Sequence, residues 1–312
     1  MTAGETQPLT RSGSAAVGES YTLFETLVQP LFMVGTVLAY YLLGDPLLVL
    51  ALGFVVLTLL EWRRPYRRDW IQTRKEWLEN AFFLIGTIFI FDPFYTWAYS
   101  PLYEYSIALK ERWELSLNGS LSRPVQILSV YIVIELLFYL LHLAQHKLLI
   151  LWRTHKLHHY SRKMMWAKYI TAHPVELALF PLAGLVTSLL FSIEPDDEAL
   201  YIFTFPLLVA VFTHSNIRTN PALLGWLFVT PQYHFKHHSS AFDTRRNRAV
   251  GDCNYGVSLI LFDRLFGTFD PGTVIDPVGV QPRNELNLWQ QLLTPFQHGW
   301  STAPAREAED QS

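Results

Sequence analysis

The 312-residue chain is short of thiols and of charge. It has one cysteine, Cys253, and charged residues make up only 16% of it. A lone thiol excludes a disulfide framework, a cysteine-based zinc site and a self-contained iron–sulfur cluster. Soluble domains average about 25% charged residues, so an ordinary soluble enzyme is excluded. A net charge of −3 gives polyanion binding no electrostatic basis, and no nucleic-acid partner is expected. The start of the chain lacks a basic region directly before a short apolar core, so no cleaved signal peptide is expected. No solenoid-type repeat is present. Half of the residues are apolar and 15% are aromatic, which excludes a disordered chain. A membrane protein remains.

Residues 1–20 are small and polar and read as a disordered lead. Apolar segments follow. Thr26 to Gly44 is free of charge for nineteen residues, about the ~20 needed to cross a bilayer. Pro46 to Leu60 is shorter, and Asp45-Pro46 turns the chain before it. Ala81 to Tyr99 is interrupted at Asp92-Pro93. Val125 to about Leu141 carries Glu135. Leu177 to Ile193 and Leu200 to Thr213 are both short and are joined by an acidic turn, so the pair reads as a shallow or re-entrant hairpin. The expected fold is all-α and integral to the membrane. It has about four transmembrane helices, that hairpin, and a histidine-rich helical cap. The expected organisation is a lead over 1–20, a membrane-embedded domain over 21–272 and a partly disordered tail over 273–312.

The loop after the second segment holds Arg63, Arg64, Arg67, Arg68, Arg74 and Lys75. The next loop holds only Lys110, Arg112 and Arg123. The positive-inside rule makes the first loop cytoplasmic, and with it the N-terminus. Counting segments then brings His142, His146 and His214 to that same face.

Ten of the eleven histidines fall between His142 and His238. His142 and His146 are four apart, and His155, His158 and His159 share one helix face at i, i+3 and i+4. His234, His237 and His238 repeat that spacing. His173 and His214 lie between. His298, sixty residues further on, reads as a surface residue. Imidazole suits zinc, iron, copper or nickel. Eight rings in three boxes exceed what one ion can use, so two metal ions are expected. A catalytic zinc needs only three protein ligands. Two ions in an all-imidazole cage beside a bilayer point instead to oxygen activation and attack on an unactivated C–H bond of a lipid.

Four stretches carry a family resemblance. They are ELLFYLLHLAQH at 135–146, WRTHKLHHYS at 152–161 with AHPVE at 172–176, THSNIR at 213–218, and HFKHH at 234–238 followed by DCNYGVSLILFDRLFGTF at 252–269. The chain resembles the fatty acid hydroxylase superfamily, sterol desaturase branch, over roughly residues 80–272. The resemblance implies an integral membrane oxidoreductase with a centre of two iron ions. It would hydroxylate a C–H bond of a sterol, fatty acyl or ether lipid with O2, or desaturate it at the same site. The implied ligands are His142, His146, His155, His158, His159, His214, His234, His237 and His238, with His173 at the His-Pro-x-Glu position. Leu143 stands where many members have Arg, Phe262-Asp263 replaces a Trp-Asp pair, and Met164, Met165 and Trp166 are less polar than usual. None of these removes an implied ligand. No His-Pro-Gly-Gly haem motif and no flavin motif is present. The expected electron source is therefore a separate donor, of ferredoxin or cytochrome b5 type with its reductase.

Glu135 lies seven residues before His142 on the same helix. An ionisable residue inside a membrane helix marks function, and a carboxylate commonly accepts the far N–H of a ligand histidine. Glu176, Asp252 and Asn254 are expected to support the ligands in the same way. Arg245, Arg246 and Arg248 read as a contact for lipid headgroups or an acidic donor. Two rivals are a membrane metal transport or storage protein and a zinc hydrolase. The first would place ligands at the midplane on interrupted helices, and the second needs an open position and a free general base.

Overall fold

The computed structural model describes residues 20–114, 116–243, 248–272, 277–280 and 286–296. The expected lead falls almost wholly outside them. Helix α1 is Leu23–Leu43, opened by a Thr22/Glu25 capping box and closed at Gly44, whose φ of 65° suits a residue without a Cβ. Helix α2, Pro46–Arg63, starts on Asp45, whose carboxylate accepts from the amides of Leu47 and Leu48. Helix α3 is Arg74–Arg112. The expected break at Asp92-Pro93 is not a break. A wide π-turn over Thr87–Phe91 absorbs the backbone change and the helix continues.

Helix α4, Arg123–Lys147, is followed at once by α5, Leu149–His155, with Leu148 extended between them. Helix α6 is Pro174–Leu190 and α7 is Pro195–His214. The expected hairpin pair falls here, with one arm longer than expected. The acidic turn belongs to the start of α7, which reaches twenty residues, so five helices rather than about four are long and apolar enough to cross a membrane. Helix α6 is shorter and lies on α3. The hydroxyls of Tyr95, Tyr99 and Tyr103, one per turn, donate to the carbonyls of Pro174, Ala178 and Pro181. Phenols that satisfy backbone carbonyls suit an apolar setting, where water cannot. Short helices α8 (Pro221–Leu224), α9 (Pro231–His237), α10 (Leu261–Phe266) and α11 (Leu288–Leu293) build the cap. Strands β1 (Phe242–Asp243) and β2 (Arg248–Ala249) form a small antiparallel ribbon there.

The core joins α1, α2 and α7 through Val28, Leu57, Val211 and Phe212. The outer faces stay apolar: Leu42, Phe89 and Trp97 are each more than 70% exposed. Exposed apolar surface on this scale suits contact with lipid. Arg123, at the start of α4, makes a bidentate ion pair with Asp197, at the start of α7, at 2.6 and 2.8 Å. The two helices therefore begin at one end of the bundle, run the same way, and deliver their C-terminal histidines to the other. The arginine-rich loop after α2 lies at the histidine end, where the Tyr66 amide donates to the Asn216 carbonyl, 2.9 Å.

Candidate metal centre

Helix α4 supplies His142 and His146, α5 and the turn after it His155, His158 and His159, the end of α7 His214, and α9 with its cap His234, His237 and His238. All nine are buried. They fall into two sets. One is His142, His146, His155, His159 and His237, and the other is His158, His214, His234 and His238. In each set one ligand atom per residue lies within 4.8 Å of all the others. The sets share a wall, with the rings of His159 and His238 stacked at 4.1 Å.

The ring nitrogens that meet are Nε2. The Nε2 atoms of His158 and His214 are 3.0 Å apart, those of His214 and His234 2.7 Å, those of His234 and His238 3.0 Å, and those of His155 and His159 3.1 Å. Cis nitrogens bound to one ion at about 2.1 Å are separated by about 3 Å. The Nε2 atoms of His142, His146 and His237 are buried with no partner among the described residues. For His142 and His237 the Nδ1 atoms explain why. His142 Nδ1 faces the Tyr255 carbonyl at 2.7 Å, His237 Nδ1 the Cys253 carbonyl at 2.8 Å and His214 Nδ1 the Ala210 carbonyl at 2.8 Å. A carbonyl only accepts, so these Nδ1 atoms carry the proton and each Nε2 is left as a lone pair. His155 Nδ1 donates to Glu176 Oε1 at 2.6 Å. Lone pairs in van der Waals contact repel unless cations lie between them, so this donor set fits two metal ions.

Burial and the neighbouring rings hold His158, His159, His234 and His238 well below the ordinary histidine range. Burial chiefly brings His237 down to about 3. These rings are neutral at pH 7, the state a metal ligand needs.

The remaining expected residues divide. Glu176 stands behind His155, and Gln145 Nε2 reaches the same carboxylate oxygen at 3.4 Å. Glu135 does not stand behind a histidine. Its Oε2 accepts from the amides of Ser258 and Leu259, both at 3.0 Å. Its side chain turns to the loop rather than along its own helix, and those buried amides have no other acceptor among the described residues. Asp252 lies within electrostatic reach of His237, pairs with Lys147 at 2.5 Å and accepts from the Tyr255 hydroxyl. Asn254 makes no hydrogen bond to a ligand ring among the described residues. At φ 57° it pins the loop through the Tyr233 and Asp270 backbones. His173 lies outside both sets and caps α6. Its Nδ1 accepts from the Val175 amide and its Nε2 donates to the Leu292 carbonyl, 3.0 Å. His298, Arg245 and Arg246 lie outside the described residues.

Sequence reasoning missed the backbone carbonyls of Ala210, Cys253 and Tyr255, which no side-chain pattern reveals. It also gave Asp263 no role. Asp263 is buried, and its two oxygens accept from the amides of Tyr255 and Gly256, both at 2.7 Å. A carboxylate next to a buried aromatic, just after a turn sequence, was the available signal.

Residues 127–268 match the family model for fatty acid hydroxylase, a stretch that holds all nine rings. Over this stretch the chain is similar to the fatty acid hydroxylase superfamily. It is 28% identical to ornithine lipid hydroxylase OlsE of Rhizobium tropici over 173 residues, 55% of this chain and 50% of that protein. It is 31% identical to alkylglycerol monooxygenase of Xenopus tropicalis over 139 residues, 43% of this chain and 28% of that one. It is 26% identical to fatty acid hydroxylase vlmA of Lecanicillium sp over 172 residues, 49% and 44% of the two chains. The matches thus span about half or less of these relatives. No solved structure matches the chain. The matched stretch begins within α4 and ends just after α10.

Proposed function

We propose that this chain is an O2-dependent lipid monooxygenase with a two-iron centre. The observation that carries it is the five-and-four division of nine imidazole rings. The relatives' names, a lipid hydroxylase, a monooxygenase and a fatty acid hydroxylase, favour hydroxylation over desaturation. The net reaction would be R–H plus O2, two electrons and two protons giving R–OH and water. Iron held in the two sets would supply oxygen activation and one-electron redox steps.

The chain's own residues do the rest. The Tyr255, Cys253 and Ala210 carbonyls and Glu176 hold four rings in one tautomer and one orientation. Burial of all nine excludes bulk water, which limits loss of reactive species. The rings stand at the ends of α4 and α7, so a lipid chain from the bilayer would reach them along the bundle. That placement argues against a transporter, whose ligands belong at the midplane. Electrons would come from a separate ferredoxin- or cytochrome b5-type donor. The arginine-rich loop at the histidine end supports a cytoplasmic centre and N-terminus.

The test is metal analysis of purified full-length protein, with O2 uptake and lipid product identification. Two irons per chain and an oxygenated lipid, formed only when a donor is added, are expected. A single ion in fully loaded protein would overturn the two-metal reading.

A further inference from the structure

Away from the histidines, a cavity of about 490 Å³ opens between the start of α1 and the loop that leaves α2. That volume is in the range of small-molecule sites. Thr22, Phe24, Glu25, Arg64, Tyr66 and Arg218 line it. Its level in the membrane follows from the chain. Leu23 opens one spanning helix and Arg63 closes the next, so the cavity lies where the apolar core of a bilayer gives way to headgroups. Trp62, 69% exposed on the last turn of α2, is the residue type that favours that level.

The wall carries two guanidinium groups and one carboxylate. The carboxylate is already satisfied. Glu25 Oε2 accepts from the Thr22 amide at 2.7 Å and from the Thr22 hydroxyl at 3.0 Å, and Oε1 accepts from Arg218 Nη1 at 3.1 Å. The Tyr21 ring, its centroid 4.5 Å from Cζ, also steadies Arg218. Arg64 differs. Its Cζ lies 5.7 Å from the centroid of the Phe24 ring, and no carboxylate stands within ion-pair distance of it among the described residues. Arg67 in the same loop is committed to Asp69 at 2.7 Å. One positive charge is thus left over on the wall, on a planar donor that suits phosphate oxygens. A zwitterionic headgroup brings no net charge to balance it. A phosphodiester with an uncharged headgroup brings one negative charge.

We propose that this cavity binds a phosphate monoanion, the phosphodiester of an anionic phospholipid headgroup, and that Arg64 selects its charge. Binding needs neither metal nor turnover, so it does not rest on the monooxygenase reading. The walls are joined to the centre through the chain. Arg218 is four residues past His214, and the Tyr66 amide donates to the Asn216 carbonyl at 2.9 Å. A lipid held there would brace the segment that carries His214.

The test uses full-length protein in detergent micelles, titrated with phosphatidylglycerol or with phosphatidylcholine of the same acyl chains. Native mass spectrometry counts the lipid retained per chain, and melting is followed in parallel. Phosphatidylglycerol is expected to bind about tenfold or more tightly than phosphatidylcholine, as for hydrogen bonds between charged groups. Arg64→Gln should lower its affinity about tenfold and leave phosphatidylcholine unaffected. Arg64→Lys, a point charge without the planar fork, should fall between. Arg68→Gln, which removes an exposed arginine of the same loop outside the cavity, should leave the preference intact. Phosphatidylglycerol should raise the melting temperature of wild type but not of Arg64→Gln, because a ligand stabilises only the fold that binds it. Equal retention of the two lipids overturns the site. Equal losses in Arg64→Gln and Arg68→Gln overturn it as well, since they would mark diffuse attraction to a basic loop. Displacement of the lipid by inorganic phosphate at the same concentration would overturn the headgroup assignment in favour of a soluble anion.

Discussion

An imidazole offers a metal one nitrogen only when its other nitrogen keeps the proton, so the group facing Nδ1 decides what Nε2 can do. In His155 that group is a buried carboxylate at 2.6 Å. Replacing Glu176 by Gln keeps the shape and an acceptor oxygen but loses the charge that strengthens the Nε2 lone pair. Loss of such support typically costs ~10–100-fold in metal affinity. Iron content at limiting metal should fall accordingly in Glu176→Gln, while His173→Ala, which removes a helix cap and a hydrogen bond to the Leu292 carbonyl but no ligand, should load normally. Normal loading of Glu176→Gln would show that His155 needs no such partner. The His-Pro-x-Glu stretch illustrates what spacing alone can and cannot resolve. It drew attention to both residues, yet the ring turned away to cap α6 and the carboxylate turned inward.

At the scale of elements, the loop from Gly251 to Leu259 matters most. It carries the carbonyls that hold His142 and His237, and two buried acids clamp it. Asp263 takes the Tyr255 and Gly256 amides, and Glu135 takes those of Ser258 and Leu259. Gly256 is required there, since a Cβ would run into the Leu259 carbonyl. Asp263→Ala would strand two buried amides, each costing about 1–3 kcal/mol. Such a variant should unfold several degrees earlier in detergent and bind less iron even where folded. An unchanged melting temperature would show that the clamp is not needed. The sequence argument for Glu135 was sound in its first half: an acid in an apolar helix has to be paired. The partner lay some 120 residues away in the chain, and no local pattern could name it.

At the scale of the molecule, nine buried rings are gathered into one dry volume. His158, His159, His234 and His238 are held well below their ordinary range and His237 at about 3. In the unfolded chain each takes up a proton near pH 6.5. Below that pH the unfolded state binds protons that the native state refuses, so stability falls as pH falls. Each ring contributes up to about 1.4 kcal/mol per pH unit. Metal-free protein should therefore hold a constant stability above about pH 7.5, begin to lose it as pH falls through about 6.5, and lose it steeply toward about pH 5. Bound metal should move that loss to lower pH, because ions and protons compete for the same lone pairs. Chemical denaturation at a series of pH values tests this, and a flat profile down to pH 5 would contradict it.

The sequence by itself determined the membrane character, the helical class and the nine rings, because apolar length and i, i+3, i+4 spacing are local properties of the chain. It even placed His142, His146 and His214 at one end, since counting crossings needs no contacts. It could not show that α3 runs through Asp92-Pro93 or that α7 starts early enough to span. Those outcomes depend on a π-turn and on the Arg123–Asp197 pair. Nor could it divide nine histidines into five and four. His158 and His159 are neighbours in sequence yet face different sets, and only the crossing of α4, α5, α7 and α9 decides which ring meets which.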